Sequence, residues 1–192
     1  MSPRAPRNPA RRDQLLDAGL AVLAEQGARG LTFRAVDARA AVATGTATNY
    51  FTDRDALLAE LGERIHARLE PGEEKLDAAL AGAPAPAVMR RMLSRVLERR
   101  EVYVALLELR LEATRRPALR ASLTATVRAR FEQDVAVHEQ AGAPGGRRAV
   151  ALLHHAMEGL ILDQLTLPEA LGDPAEAGEV AGQLAELITR GV

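Results

Sequence analysis

Hydrophobic residues recur along this chain at helical spacing, and no stretch alternates with the period of two that is typical of strands. Alanine and leucine fill most apolar positions, and turn formers separate the segments. The pattern therefore predicts an all-α protein. The predicted helices cover residues 9–27, 33–39, 43–50, 54–70, 86–99, 101–115, 117–140, 147–167 and 174–189.

Capping residues support these boundaries. The predicted caps are Asn8, Thr32 and Asp53 at helix starts and Gly27 at the end of the first helix. Leu31 before the second helix and Val36 inside it are spaced for a hydrophobic staple. Pro71 and Gly72 should break the fourth helix.

The first 51 residues have the pattern of a helix-turn-helix, with a tight turn between the second and third of three helices. Val36 and Val42 should point inward, and Ala40 and Ala41 supply the small residues that the turn needs. The third helix is polar without the Glu and Lys of an ordinary solvated helix, so we expect it to present side chains to the DNA major groove. The candidate residues are Thr44, Gly45, Thr46, Thr48, Asn49 and Tyr50.

Residues 11–61 resemble the TetR family of transcriptional regulators. The resemblance is carried by Gly-Leu-Thr-Phe-Arg-Ala-Val at 30–36, by Ala-Ala-Val-Ala-Thr-Gly-Thr-Ala-Thr-Asn-Tyr-Phe at 40–51 and by Arg-Asp-Ala-Leu-Leu at 54–58. It implies an N-terminal tail and DNA-binding domain over 1–52 and a larger helical effector-binding and dimerisation domain over 53–192. It also implies that Thr32 and Arg54 contact the DNA backbone.

The chain departs from the family pattern at four positions. Ala41 replaces the usual turn glycine, and Ala43 replaces a serine N-cap, at a cost of roughly 1 kcal/mol of capping. Thr48 stands where a phosphate-binding tyrosine is usual, and Tyr50 where histidine is usual. Because Thr, Asn and Tyr all hydrogen-bond to phosphates or bases, we interpret the changes as a shifted set of DNA contacts.

Charge is distributed unevenly. Residues 1–54 hold eight arginines and five acids, a net +3, whereas the remainder holds 17 bases and 21 acids, a net −4. A basic N-terminal part on an acidic body fits a polyanion-binding function for the former. The arginines at 4, 7, 11 and 12 belong to a tail that either lies along DNA or is simply solvated.

Composition narrows the function classes further. The chain has 192 residues, 47% of them hydrophobic, and no cysteine. The absence of cysteine excludes disulfides, thiolate metal sites and a cysteine nucleophile. No apolar run is long enough to span a bilayer and no secretory signal is present, so we expect a cytoplasmic protein.

The last two predicted helices, 147–167 and 174–189, are candidates for a homodimer interface. The first is apolar nearly all round, as expected of a helix buried on more than one side. The second carries the stripe Val180, Leu184, Leu187 and Ile188, with Gly178 and Gly182 allowing close approach. The resemblance implies the same dimer, in which two recognition helices bind a palindromic DNA operator.

The resemblance further implies a pocket for a small-molecule effector among the C-terminal helices. The candidate lining residues are Tyr103, Leu107, Arg110, Phe131, His154, Met157, Glu158 and Ile161. Apolar residues at this spacing are more often plain core, and the polar ones could instead bond across the dimer. Since few aromatics are present, the pocket should be mostly aliphatic, which disfavours a large flat cation.

Two other classes of protein compete with this hypothesis. The first is a helical-bundle ligand-binding or metal-binding protein without regulatory DNA binding. Its two-metal form needs two Glu-x-x-His pairs, and the chain has one, Glu63 with His66. No phosphate loop or nucleophile elbow is present, so we expect no enzyme, no cofactor and no metal. An architectural DNA-binding protein without a ligand is the second alternative, although the C-terminal body is larger than dimerisation requires. Activation in place of repression stays open.

Overall fold

We describe residues 8–69 and 83–191 of a computed structural model. Within these ranges the chain forms helices and no strand, which confirms the predicted all-α class. The helices are α1 (Pro9–Gly30), α2 (Phe33–Arg39), α3 (Thr46–Tyr50), α4 (Arg54–Leu69), α5 (Ala85–Glu98), α6 (Arg100–Ala113), α7 (Pro117–Gln140), α8 (Gly146–Thr166) and α9 (Ala177–Gly191). The predicted break at Pro71 and Gly72, and the tail arginines Arg4 and Arg7, lie outside the described residues.

The three predicted N-caps are confirmed. Asn8 accepts hydrogen bonds from the backbone N–H groups of Ala10 and Arg11 at 3.0 and 3.4 Å. Thr32 and Asp53 accept from the third residue beyond each of them, at 3.1 and 2.8 Å. Gly27 interrupts α1 with a φ of 68°, and the chain adds one short turn before Leu31.

Two predicted helix starts are wrong. The third helix was expected from residue 43 but begins at Thr46, because Gly45 adopts a left-handed φ of 92° and the preceding residues form a turn. The last helix was expected from Pro174, but Pro174–Glu176 is a 3₁₀ turn and the α-helix begins at Ala177. In both cases a local turn occupies the first residues of the predicted segment.

The described residues form two compact units. The first comprises 8–69 together with 101–124, and it contains α1 to α4, α6 and the start of α7. Its core is aliphatic apart from Phe51. Its fully buried side chains include Leu15, Leu23, Val36, Leu57, Leu58, Leu61, Ile65 and Leu109. The functional division at residue 52 stays a prediction, and packing does not follow it because α4 and α6 share this core with α1 and α2.

The second unit comprises 83–100 together with 125–191. Here α9 packs on α5 and α8, and Leu93, Met157, Ala177 and Ala181 form the buried centre. The side of α9 that is buried within this unit is its alanine line, and the dimer role of the leucine and valine stripe stays a prediction. Gly182 lies against Arg90 of α5, so its close approach is a contact within the chain. In the part of the chain that the structure describes, none of the helices combines the length and the hydrophobicity that a membrane span requires.

Candidate DNA-binding site

The helix-turn-helix is formed by α2, the turn after it and α3. Val36 is fully buried and Val42 packs against the same core, as predicted. The backbone N–H of Val42 donates to the carbonyl of Asp37 at 3.0 Å and closes the turn. Ala41 adopts a φ of 52°, a left-handed conformation that is unusual outside glycine. The turn therefore keeps the shape that the family's glycine would favour, with an alanine in its place.

Asp37 lies at the centre of this arrangement. Asp37 is only 2% exposed. Its two carboxylate oxygens accept hydrogen bonds from the backbone N–H groups of Gly45 and Ala47, both at 2.7 Å. Ala47 is the fully buried residue of α3. These contacts tie the start of α3 to the body of α2.

The structure exposes part of the predicted recognition set. Thr44, Thr48 and Asn49 are exposed, whereas Gly45, Thr46 and Tyr50 are half-buried, and Tyr50 packs against the core. The hydroxyl of Thr48 donates to the carbonyl of Gly45 at 2.7 Å. Because its proton is used inside the helix, this hydroxyl presents lone pairs and a methyl group outward.

Thr32 has a different hydrogen-bonding state. Its hydroxyl oxygen accepts from the N–H of Ala35 at 3.1 Å, and the residue is exposed. A hydroxyl that accepts on one side keeps a proton to donate on the other. Thr32 is therefore suited to donate to a phosphate at the start of α2.

Arg54 and Arg12, which lie near the helix-turn-helix, bond to other parts of the chain. The guanidinium of Arg54 donates to the carbonyl of Ala28, and its Nε is also buried. The structure places Arg11 and Arg12 in the first turn of α1 rather than in a tail. Arg12 pairs with Glu60 of α4 and lies over the ring of Phe51. DNA contact by Arg54 remains a prediction.

Two residues that support the helix-turn-helix were not predicted from the sequence. Gln14 of α1 donates from its side-chain amide to the carbonyl of Ala40 at 2.8 Å, which fixes the end of α2. Asp37 is the other, although an acid beside Val36 on the inward side of a short helix was a usable signal. A polar residue on an apolar face needs a partner, and here the partner is the backbone of α3.

The eight candidate effector residues divide between the two units. Tyr103, Leu107 and Arg110 lie on α6 in the first unit. Phe131 lies on α7 and the other four on α8, all in the second unit. Met157 and Ile161 pack in the second core, and the guanidinium of Arg147 lies 4.8 Å from the ring centre of Phe131. His154 contacts His155 edge to face, with ring centres 5.7 Å apart.

Helices α8 and α9 each keep an exposed apolar side. On α8, Leu152 and Leu162 are 40% and 46% exposed, and an added Cβ at Gly159 would meet nothing within 4 Å. On α9, Val180 and Leu187 are 40% and 71% exposed. Within the described ranges, no group of three or more histidine or acidic residues is arranged to hold a metal ion.

Comparison with known proteins places both parts of the chain in one family. Residues 15–61 match "Bacterial regulatory proteins, tetR family", and residues 82–190 match "Tetracyclin repressor-like, C-terminal domain". The second match alone covers more than half of the chain. The chain therefore belongs to the TetR family.

Individual relatives agree with this assignment. The transcriptional regulator BetI of Serratia proteamaculans is 36% identical over 76 residues, which span 35% of this chain and 38% of that protein. A solved transcriptional regulator from Rhodococcus sp. Rha1 superposes with a TM-score of 0.78 at 23% identity, over 93% of this chain and 96% of that one. The multidrug binding protein EbrR, solved with imidazole, gives 0.63 at 26% identity, over 92% and 96%.

Family membership defines the general function. TetR-family proteins are DNA-binding transcriptional regulators that respond to small molecules, and the family is one of regulators rather than enzymes. Dimerisation is typical of its members.

Proposed function

We propose that this regulator is a homodimeric repressor that binds a palindromic operator and is released from it by a small-molecule effector. The observation that carries the proposal is the α2–α3 unit, which exposes short polar side chains at Thr44, Thr48 and Asn49 above a buried apolar base. An ordinary solvated helix carries Glu and Lys, whereas short polar side chains are suited to contact base edges in the major groove.

Each exposed residue has a chemical role that its hydrogen bonds support. Thr48 accepts from an exocyclic amino group or packs its methyl group on thymine, since its proton is bound to Gly45. Asn49 both donates to and accepts from base edges. Thr32 donates to a phosphate, and Thr44, Gly45, Thr46, Tyr50 and Arg54 complete the proposed DNA-binding set.

Release of DNA would act through α4 as a shift between two populations of the dimer. Arg54 and Asp55 at the start of α4 are bonded to Ala28 of α1 and to Arg116 after α6. Any displacement of α4 or α6 is therefore passed to the helices that hold α3. An effector that favours the displaced state would separate the two recognition helices from successive major grooves.

The effector would bind in the region matched as the C-terminal domain. The candidates on α6 in the first unit and those on α7 and α8 in the second unit are proposed contacts, and each set is tested by itself. Since Met157 is buried and Ile161 packs against the same core, Tyr103 and His154 are better first targets for substitution. Once the operator is known, candidate compounds are titrated into the complex of the protein with a labelled operator, and release of the DNA is measured. The same titration is made with Tyr103→Phe and His154→Ala and compared with that of the unmodified protein.

Selection of bound fragments from genomic DNA tests the DNA-binding function directly. We expect enrichment of a palindromic site whose affinity falls steeply with salt. Thr48→Ala should then lower the binding free energy by roughly 1–3 kcal/mol, with the loss of sequence preference confined to one or two base positions of the operator.

Thr114→Ala is the matched control for that substitution. Thr114 is also exposed, and its hydroxyl donates to the carbonyl three residues earlier at 2.7 Å, as that of Thr48 does. Removing it changes the same local bond at a place that we do not assign to DNA. Failure of any sequence to be enriched, even at low salt, would refute the DNA-binding function.

A further inference from the structure

The carboxylate of Asp37, on α2, accepts hydrogen bonds from Gly45, the N-cap of α3, and from Ala47 inside α3. We infer that Asp37 is the residue that positions the recognition helix, in place of the side-chain cap that the turn lacks. The inference rests on the proposed DNA-binding function, because position matters only if α3 reads a sequence.

Helix α3 is too short to hold its own position. It has five residues, and its N-cap, Gly45, makes no side-chain cap bond. The first N–H groups of any helix lack partners inside the helix and must find them elsewhere. Ala43, where the family has serine, has no side-chain oxygen to offer.

Asp37 supplies the missing acceptors from a neighbouring helix. Its Oδ2 accepts from the N–H of Gly45 and its Oδ1 accepts from the N–H of Ala47. The carboxylate therefore bridges two backbone amides at the start of α3 that are two residues apart. A carboxylate at a helix N-terminus is also favoured by the helix dipole. Because both oxygens belong to one rigid group, the pair of bonds fixes the rotation of α3 as well as its distance from α2.

Because Asp37 is buried, its carboxylate depends on these two backbone hydrogen bonds. At 2% exposure the carboxylate has little access to water, so it stays bound to these amides or loses most of its hydrogen bonding. Buried polar groups whose bonds are all satisfied select a single arrangement of the elements they join. The outward angle of Thr48 and Asn49 would therefore depend on a residue that does not contact DNA.

Removing the carboxylate should lower the fraction of protein whose α3 is ready to bind. Apparent affinity falls in proportion to that fraction. For Asp37→Ala we expect operator affinity to fall on the order of tenfold or more, with discrimination between operator and scrambled DNA reduced. The slope of affinity against salt should stay unchanged, because no phosphate contact is lost.

A restored cap provides the decisive variant. Ala43→Ser would place a hydroxyl two residues before Gly45, within the reach of a local side-chain to backbone bond. In the Asp37→Ala background this serine should recover part of the lost affinity, because it can replace one of the two bonds. In the unmodified protein it should change little, because Asp37 already holds that N–H.

The experiment measures operator and scrambled-DNA affinity for Asp37→Ala, Asp37→Asn, Ala43→Ser and the Asp37→Ala, Ala43→Ser double variant. Asp37→Asn keeps the shape and one acceptor, so an intermediate loss is expected, and it serves if Asp37→Ala does not fold. Asp173→Ala is the control, since Asp173 also caps with its carboxylate, accepting from Ala175 at 2.9 Å in the second unit. Its affinity should stay within about twofold of the unmodified protein.

Amide hydrogen exchange at Gly45 and Ala47 provides a reading that needs no DNA. Both amides should exchange faster in Asp37→Ala, and Gly45 alone should regain protection in the double variant. If the unmodified protein enriches an operator and Asp37→Ala binds it equally well, the positioning role is overturned. If the unmodified protein enriches no sequence, the proposed function fails first, and unchanged exchange at both amides would separately refute the cap.

Discussion

The carboxylate of Glu108, on α6, accepts a hydrogen bond from the backbone N–H of Ala28, 80 residues earlier in α1, at 2.9 Å. The bond falls where Gly27 interrupts α1 with a φ of 68°, and a Cβ on that glycine would lie 3.2 Å from the same carboxylate. The carbonyl of Ala28 in turn accepts from Arg54 of α4. Three helices thus meet at a single break in α1.

Substitution of Glu108 should therefore destabilise the first unit. Glu108→Ala leaves the buried N–H of Ala28 without its partner, and we expect a loss of about 1–2 kcal/mol in the free energy of unfolding. Urea titration followed by circular dichroism measures it. Glu101→Ala, at an exposed position on the same helix, is the control and should change stability by less than about 0.5 kcal/mol. Equal effects of both substitutions would contradict the role given to Glu108.

Ala41→Gly should stabilise the protein. Ala41 holds a φ of 52°, which costs an L-residue roughly 1–2 kcal/mol and costs glycine almost nothing, although glycine loses more entropy on folding. The expected net gain is about 0.5–1 kcal/mol, seen as a higher melting temperature. The same change at Ala38, an exposed helical position in α2, should lower stability by roughly 1 kcal/mol. A lower melting temperature for Ala41→Gly would show that the left-handed conformation is not strained.

The helices could be predicted because their signals are local. Asn8, Thr32 and Asp53 cap the helices that follow them, and apolar spacing fixes which side of α4 is buried. The start of α3 was missed because Gly45 reads equally well as a helical residue or a left-handed turn. Such choices are decided by packing around the turn rather than by the residues in it.

The candidate site was predictable to a smaller extent. Polarity alone indicated that six residues face outward, and the structure exposes three of them, Thr44, Thr48 and Asn49. The half-buried three are Gly45, Thr46 and Tyr50. The bonds that hold this segment depend on partners elsewhere in the chain. Asp37 and Gln14 read as solvated residues until α3 and the end of α2 are placed beside them. Arg54 shows the converse, since a cation expected at a phosphate is bonded to a backbone carbonyl.

Acid should weaken the C-terminal end of α6, where Glu112 pairs with Arg116 four residues later. The hydrogen bond from Arg116 to Glu112 lowers the pKa of the Glu112 carboxyl from its ordinary value of 4.5, against the opposing effect of burial. The folded state therefore binds the Glu112 proton less readily than the unfolded state. The stabilisation is complete above about pH 4.5 and is lost as the pH falls through the lowered folded pKa.

Urea unfolding from about pH 6 to about pH 3.5 tests this. The unmodified protein should lose more stability over that range than Glu112→Gln, which has no carboxyl to protonate. At neutral pH Glu112→Gln should itself cost about 1 kcal/mol, because the charge-assisted bond to Arg116 is weakened. Glu101→Gln should follow the unmodified curve. Parallel curves for the unmodified protein and Glu112→Gln would show that this pair does not contribute to the acid response.

The exposed apolar sides of α8 and α9 predict which substitutions separate a dimer. Leu162→Glu and Leu187→Glu place a charge on side chains that are 46% and 71% exposed, so each monomer should still fold while a buried interface would not tolerate the charge. We expect sedimentation to change from dimer to monomer and operator binding to be lost with it, because two half-sites need two recognition helices. Val137→Glu changes a 58% exposed valine on α7 and should leave the dimer intact. A dimer that survives both leucine substitutions would place the subunit contact on another surface.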